Sequence, residues 1–138
     1  MARLPRVAAP KLHRIILFAK DLKRMLEFYH DALGLPVLSD PADPGWAELD
    51  AGGSVLALHA IPPRVARDIS ISSPPRAREE TPFKLAFAVD DVAALRRHLS
   101  TRGGTMFEAK AAGSGALSSC DGLDPEGNVF QIVTAHGR

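Results

Sequence analysis

Two cationic side chains occupy matching places in this 138-residue chain. Arg14 and Lys84 each lie seven residues before an aspartate, Asp21 or Asp91, and the two pairs are 70 residues apart. Guanidinium and ammonium groups offer several N–H donors together with positive charge, so they suit an anionic or carbonyl-bearing ligand. The repeated spacing indicates that two copies of one structural unit present the two cations.

Other reactive residue types give weaker patterns. Ser118, Ser119 and Cys120 are consecutive, but no general base is identifiable beside them in the sequence, and we expect Cys120 to pack as a small apolar residue. We expect three of the five histidines to be solvated: His30, His98 and His136. Nucleophilic catalysis is therefore not indicated.

The repeated unit is a strand followed by an amphipathic helix. Residues 12–20 and 83–89 are mostly apolar and predict the two strands. Asp21 and Asp91 are suitable helix N-caps, and glycines at 34 and at 103–104 can end the helices. The inward-facing positions are Leu22, Met25, Leu26, Tyr29 and Leu33 in the first helix and Val92, Leu95 and Leu99 in the second.

Three shorter strands are predicted after each helix, at 36–38, 46–49 and 54–59 and at 105–108, 116–120 and 128–134. A proline- and glycine-containing turn at 124–128 should close the last hairpin. Residues 61–82, which are rich in proline and arginine, predict either an irregular linker or a lid, with room for a strand fragment at 69–71. The chain is thus predicted to be α+β, with two tandem βαβββ modules, at about 12–60 and 83–134, in one domain spanning 12–134.

Composition excludes several classes of protein. The formal net charge of +1 gives no electrostatic case for binding nucleic acid or an acidic membrane surface. A single cysteine excludes an intrachain disulfide framework and fits a reducing compartment. The first ten residues lack the apolar core of a signal peptide, and no apolar run is long enough for a membrane helix. A cytoplasmic location is expected.

The two modules resemble the vicinal oxygen chelate superfamily, which includes glyoxalase I, extradiol dioxygenases and bleomycin resistance proteins. The resemblance covers residues 12–134 and rests on Asp21-Leu22, Glu27-Phe28-Tyr29, Leu33-Gly34-Leu35, Val89-Asp90-Asp91, Gly103-Gly104, Asp124-Pro125-Glu126-Gly127-Asn128 and Phe130-Gln131-Ile132. It implies two half-barrels around a shared cavity, which holds a divalent metal in many members. It also implies a homodimer, since many members of this size build their pockets from both chains.

The resemblance places the four metal-ligand positions of the family at Arg14, Ala57, Lys84 and Gln131. Protonated arginine and lysine have no lone pair for a metal, and alanine has no ligand atom. We therefore expect no metal cofactor. A displaced set built from His13, His59 and Gln131, with Glu48 as a further candidate, is the alternative, although His13 is one residue out of register and would face the opposite side of its strand.

In this fold Arg14, Ile16 and Phe18 should alternate onto the cavity face, as should Lys84, Ala86 and Ala88. The expected ligand-binding residues are Arg14, Phe18, Trp46, Ala57, His59, Lys84 and Gln131. An alternative interpretation has the two cations reaching solvent or pairing with Glu48 or Asp50. The expected function is metal-independent binding of an anionic or aromatic small molecule. A metal-dependent lyase, isomerase or dioxygenase and a scaffold without chemistry remain the alternatives.

Overall fold

The computed structural model describes residues 9–38, 43–111, 113 and 115–134 of the chain. His136 and most of the N-terminal segment considered above lie outside these residues. The strands are β1 Arg14–Ala19, β2 Trp46–Asp50, β3 Val55–Ala60, β4 Leu85–Val89, β5 Thr105–Ala111, β6 Leu117–Leu123 and β7 Val129–Thr134. The helices are α1 Leu22–Leu26, continued by a π-helical segment Glu27–Ala32, then α2 Pro63–Ala66 and α3 Val92–Ser100. This order confirms the predicted α+β class.

The strands form two sheets with the same topology. In the first sheet the order is β1-β3-β2, with β1 parallel to β3 and β2 antiparallel to it. In the second sheet the order is β4-β7-β6-β5, with β4 parallel to β7 and the other pairs antiparallel. The predicted strand at 36–38 is reduced to a single bridge between Val37 and Leu49. Each sheet therefore has the first strand of its module at one edge.

The helix boundaries follow from their terminal residues. Asp21 accepts a hydrogen bond from the backbone N–H of Arg24 at 3.1 Å, and Asp91 accepts one from that of Ala94 at 2.9 Å, so both predicted N-caps are confirmed. Gly34 has a φ of 93° after the first helix. A left-handed residue at this point ends the helix, and glycine adopts it without a steric penalty.

A single core joins the two modules. Met25, Phe28 and Tyr29 of the first helix are buried together with Leu99 of α3 and Phe130 of β7. The rings of Phe28 and Phe130 meet edge to face with their centroids 5.5 Å apart. Because each helix covers one face of the sheets, the opposite faces are left for a site. No helix in the described ranges is both long and apolar enough to cross a membrane.

The linker at 61–82 differs from the expectation in two details. Pro63 opens the short helix α2, which is the position where proline fits a helix best. Residues 69–71 are not a strand; the backbone N–H of Ile69 instead donates to the carbonyl of Ala66 at 3.0 Å. The prolines at 62–63 and 74–75, which flank these residues, limit how far a ladder could extend, since proline lacks the N–H that a ladder requires.

Candidate functional site

One face of the first sheet carries the charged and aromatic residues of the first module. The strand register sets Ile16 beside Ala57, and Ala57 beside Glu48, so all three point to the same side. By the same alternation Arg14 lies on this face. Ala57 itself is fully buried. It therefore shapes the floor of the face and does not offer a contact group.

Arg14 is held by two partners on β2. Its Nε lies 2.9 Å from a carboxylate oxygen of Glu48, and its guanidinium carbon lies 5.5 Å from the ring centroid of Trp46. The second distance is within the range of a cation–π contact. The ion pair is the arrangement that the alternative interpretation of the sequence gave for Arg14. The cation therefore stays on the site face with its charge partly balanced.

Phe18, Trp46 and His59 form an aromatic cluster at the other end of this face. The ring centroids of Phe18 and His59 are 5.6 Å apart, and those of Trp46 and His59 are 5.3 Å apart. His59 is exposed and lies opposite both neighbours in the strand register. The predicted residues Arg14, Trp46, His59 and Phe18 are thus brought together as one continuous surface.

The second sheet repeats the same arrangement with other residues. Lys84 Nζ lies 3.0 Å from Asp121 Oδ2, and Asp121 is the strand partner of Gln131. Gln131 in turn lies beside Ala86 on β4. In both modules, then, a cation at the start of the first strand pairs with a carboxylate two strands away, on the far side of the strand between them. The duplication extends from the backbone to the ion pairs.

Asp121 was not among the residues predicted from the sequence, although counting could have found it. The turn at 124–128 closes a hairpin in which Leu123 pairs with Val129. Two residues further from the turn on each strand, Asp121 lies opposite Gln131, and both side chains point to the same face of the sheet. The side-chain length of Lys84 then decides that the two charges meet.

A cleft of about 510 Å³ separates the edge strands β1 and β4. Both cations line it, and its other walls are largely apolar, with Leu12, Ile16 and Phe83 among them. Phe83 and Leu12 are 80% and 70% exposed, so the apolar wall reaches the surface. A volume in this range is typical of sites for small organic molecules.

The residues at the family's metal positions do not fit a divalent cation. Arg14 and Lys84 present only donors and are already paired with carboxylates, while Ala57 has no ligand atom. Gln131 alone offers an oxygen. Among the described residues no group of three or more histidine, cysteine, aspartate or glutamate side chains could hold a metal ion.

The displaced set of His13, His59 and Gln131 is also incompatible with the register. His59 pairs with Phe18, five residues along β1 from His13. At about 3.3 Å per residue the two histidines lie roughly 16 Å apart along the strand direction. Ligand bonds to one ion are only about 2 Å long, so these two side chains cannot share it.

A buried polar network fixes the turn between β6 and β7 against the first module. Tyr29 donates to Asp124 Oδ2 at 2.7 Å, and Asp124 also accepts from the backbone of Glu126 and from the backbone and side chain of Asn128. Burial raises the pKa of the Asp124 carboxyl, although each of these hydrogen bonds acts to lower it. Burial and the adjacent Asp124 charge raise the pKa of Tyr29 well above its ordinary value. The network orients β7, which carries Gln131.

The fold and the site define this chain as a two-module βαβββ protein with a cleft between the modules. Its sequence matches the Glyoxalase/Bleomycin resistance protein/Dioxygenase superfamily over residues 11–132. The chain belongs to this superfamily, and the resemblance seen in the sequence is confirmed. No functionally curated protein matches the chain significantly in sequence.

Several solved structures are similar in fold. A glyoxalase-related enzyme from Fulvimarina pelagi is 24% identical with a TM-score of 0.68, covering 91% of this chain and 88% of the other. A glyoxalase/bleomycin resistance protein/dioxygenase family enzyme from Burkholderia phytofirmans PsJN is 24% identical with a TM-score of 0.69, covering 91% and 98%. The trypanothione-dependent glyoxalase I of Leishmania major is 18% identical with a TM-score of 0.66, covering 91% and 87%. These similarities support the fold.

Proposed function

We propose that this protein binds a small organic acid without a metal, in the cleft between β1 and β4. The observation that carries the proposal is the pair of cations on its walls, Arg14 and Lys84, at positions where metal-dependent relatives would supply histidines. Each cation is paired with a carboxylate. Arginine and lysine side chains on the walls of a cleft can recognise an anionic group through charge-assisted hydrogen bonds.

For a ligand to bind Arg14 and Lys84, each ion pair must separate or share its cation with the ligand. The side chains of Arg14 and Glu48 are 36% and 24% exposed, and those of Lys84 and Asp121 are 46% and 36% exposed. Ion pairs this exposed contribute only about 0–1 kcal/mol to stability. A ligand carboxylate can therefore replace or share a protein carboxylate at little cost, and the guanidinium has donors beyond Nε to offer it.

The walls of the cleft specify the rest of the ligand. Ile16, Leu12 and Phe83 provide apolar contact, while the aromatic cluster of Phe18, Trp46 and His59 continues the face beyond Arg14. Such a surface favours a flat, apolar body attached to the carboxylate, since rings stack on rings. Aromatic acids are the class that this combination fits best.

A thermal-shift and calorimetric screen of aromatic carboxylates tests the proposal. Arg14→Ala should weaken each hit about tenfold, the effect of losing one charge-assisted hydrogen bond. Arg97→Ala is a matched control, because Arg97 is exposed on α3, away from the cleft. Hits that Arg14→Ala and Arg97→Ala affect equally would contradict the assignment of the site.

Metal analysis tests the second half of the proposal. Purified protein incubated with Mn²⁺, Fe²⁺, Ni²⁺ or Zn²⁺ and then desalted should retain no stoichiometric ion by elemental analysis. One retained equivalent that His59→Ala abolishes would overturn the metal-independent proposal. It would favour a metal-dependent enzyme using a ligand set that includes His59.

We also propose that the chain forms a homodimer across this face. The supporting feature is the exposure of large apolar side chains around the cleft, with Phe83 at 80%, Leu12 at 70% and Phe18 at 58%. Patches of this kind often mark interfaces. Sedimentation analysis should show a dimer that Phe83→Ser converts to monomer, whereas Phe107→Ser, on β5, should leave it intact. A monomer in the unmodified protein would contradict the proposal.

A further inference from the structure

A second cavity lies in the linker, at the opposite end of β1 from Arg14. It measures about 510 Å³ and is lined by Ser70, Ile71, Ser72, Arg76, Ala77, Arg78 and Glu126. None of these residues lines the cleft between β1 and β4. The lining combines two guanidinium groups with two hydroxyl groups, and both of these bind anions through N–H or O–H donors.

The walls of this linker cavity are held by contacts to the turn between β6 and β7. Arg78 donates from its backbone N–H to the carbonyl of Gly127 at 2.9 Å and from Nε to the carbonyl of Glu126 at 3.1 Å. The backbone of Arg76 lies so close to Gly127 that a Cβ at position 127 would overlap the carbonyl oxygen of Arg76. Lys20 Nζ donates to the carbonyl of Ile69. The linker is therefore anchored on both sides of the cavity.

Glu126, the acidic residue among the described residues of the lining, already accepts hydrogen bonds from the backbone. Glu126 is 3% exposed, and its two carboxylate oxygens accept from the backbone N–H groups of Lys20 and Asp21, each at 2.8 Å. The other acidic residues of the linker, Asp68, Glu79 and Glu80, are outside the lining. Among the described lining residues two arginines thus accompany one carboxylate, which leaves the lining with an excess of positive charge.

Arg76 is the cation most available to a ligand. Its side chain is exposed, and within the ranges that the structure describes it makes no hydrogen bond or ion pair. Arg78 uses Nε for the turn, so its terminal nitrogens remain for a ligand. An arginine fork matches the oxygens of a phosphate or carboxylate, and serine hydroxyls complete such sites.

We propose that this linker cavity is a binding site for a phosphorylated small molecule, separate from the organic-acid cleft. Its volume lies within the range of small-ligand sites and exceeds what a bare ion needs, so an organic phosphate monoester is the class that it fits. The Ser72 hydroxyl already donates to the carbonyl of Pro74 at 2.9 Å. A phosphate is still preferred to a carboxylate, because two arginines and the Ser70 hydroxyl supply more donors than two carboxylate oxygens accept in one plane.

Titrations with inorganic phosphate, phenyl phosphate and benzoate test the proposal. Calorimetry gives the affinities, and amide shifts of Ser70, Ser72 and Ala77 report occupation of the cavity. We expect phenyl phosphate to bind more tightly than inorganic phosphate and to shift these amides, while benzoate leaves them unmoved. Benzoate that shifts them as strongly as phenyl phosphate would overturn the assignment to phosphate.

Variants separate this cavity from surface charge and from the cleft. Arg76→Ala should weaken phenyl phosphate about tenfold, since one charge-assisted contact is lost. Arg64→Ala, on exposed α2 in the same linker, and Arg14→Ala, in the cleft, should change it less than twofold. Equal losses in Arg76→Ala and Arg64→Ala would overturn the proposal, because they would reveal general attraction to a basic surface. The Arg76 side chain makes no hydrogen bond or ion pair with the described part of the chain, so this variant should keep the unmodified melting temperature.

Discussion

Replacing Tyr29 with phenylalanine should remove one buried hydrogen bond between the two modules without disturbing the packing of the ring. The hydroxyl donates to Asp124 across 95 residues of sequence, and both side chains are fully buried. The variant leaves the carboxylate with its bonds from Glu126 and Asn128 but removes the one from the first module. A buried hydrogen bond to a charged group contributes about 1.5–3 kcal/mol, so we expect the free energy of unfolding to fall by about 2 kcal/mol at about pH 8.

The size of this loss should depend on pH. Burial raises the pKa of Asp124 in the folded state above its unfolded pKa of about 3.9. Between these two pKa values the folded state binds more protons than the unfolded chain. The contribution of Asp124 to the free energy of unfolding therefore falls as the pH rises from the unfolded pKa to the folded pKa. The hydrogen bond from Tyr29 lowers that pKa. Tyr29→Phe therefore raises the pKa of Asp124 further, and stability continues to fall up to a higher pH. The stability lost on substitution should thus be smaller at about pH 4 than at about pH 8.

Urea denaturation at the two pH values measures this effect, and a double-mutant cycle isolates it. For a chain of this length a loss of about 2 kcal/mol corresponds to roughly 6–8 °C in melting temperature. In an Asp124→Asn background the cost of Tyr29→Phe should shrink, because the charged acceptor is gone. A loss that is the same at both pH values, and the same in both backgrounds, would refute the reasoning.

Three further predictions concern stability and are measured by urea denaturation. Gly127→Ala should cost more than 2 kcal/mol, because the linker carbonyl of Arg76 lies against this position. Gly52→Ala, where a Cβ meets nothing within 4 Å, should cost only the about 1–2 kcal/mol of a left-handed alanine. Equal costs would contradict this close contact. Asp91→Ala should cost about 1 kcal/mol, since it removes the cap of α3, and a neutral result would show that the cap is dispensable. Leu99→Ala should cost about 2–5 kcal/mol because Leu99 is fully buried, and a loss under 1 kcal/mol would mean that the core collapses around it.

The two modules carry equivalent ion pairs built from different residues. Arg14 and Lys84 differ in type and in their partner residues, yet each forms an ion pair across its own sheet. Such pairs add little stability when exposed. The proposed function attributes their repetition to a ligand that both cations contact.

Much of the fold was predictable because its determinants are local. Asp21 and Asp91 satisfy N–H groups three residues ahead, and the turn at 124–128 depends on proline and glycine within itself. Strand boundaries were less accurate: β6 runs to Leu123, beyond the predicted end at residue 120. Its end is set by pairing with β7, a contact that the local composition of β6 does not encode.

The amino-acid sequence by itself determined the two modules and their capped helices, and it placed a cation seven residues before the capping aspartate of each helix. Tertiary structure decided what those cations contact. Arg14 could have reached solvent, Asp50 or Glu48, and only the packing of β2 beside β3 selects Glu48. The anchoring of the linker on Gly127 likewise joins segments about 50 residues apart. Such contacts depend on how whole sheets pack, because residues distant in sequence meet only after their elements have formed.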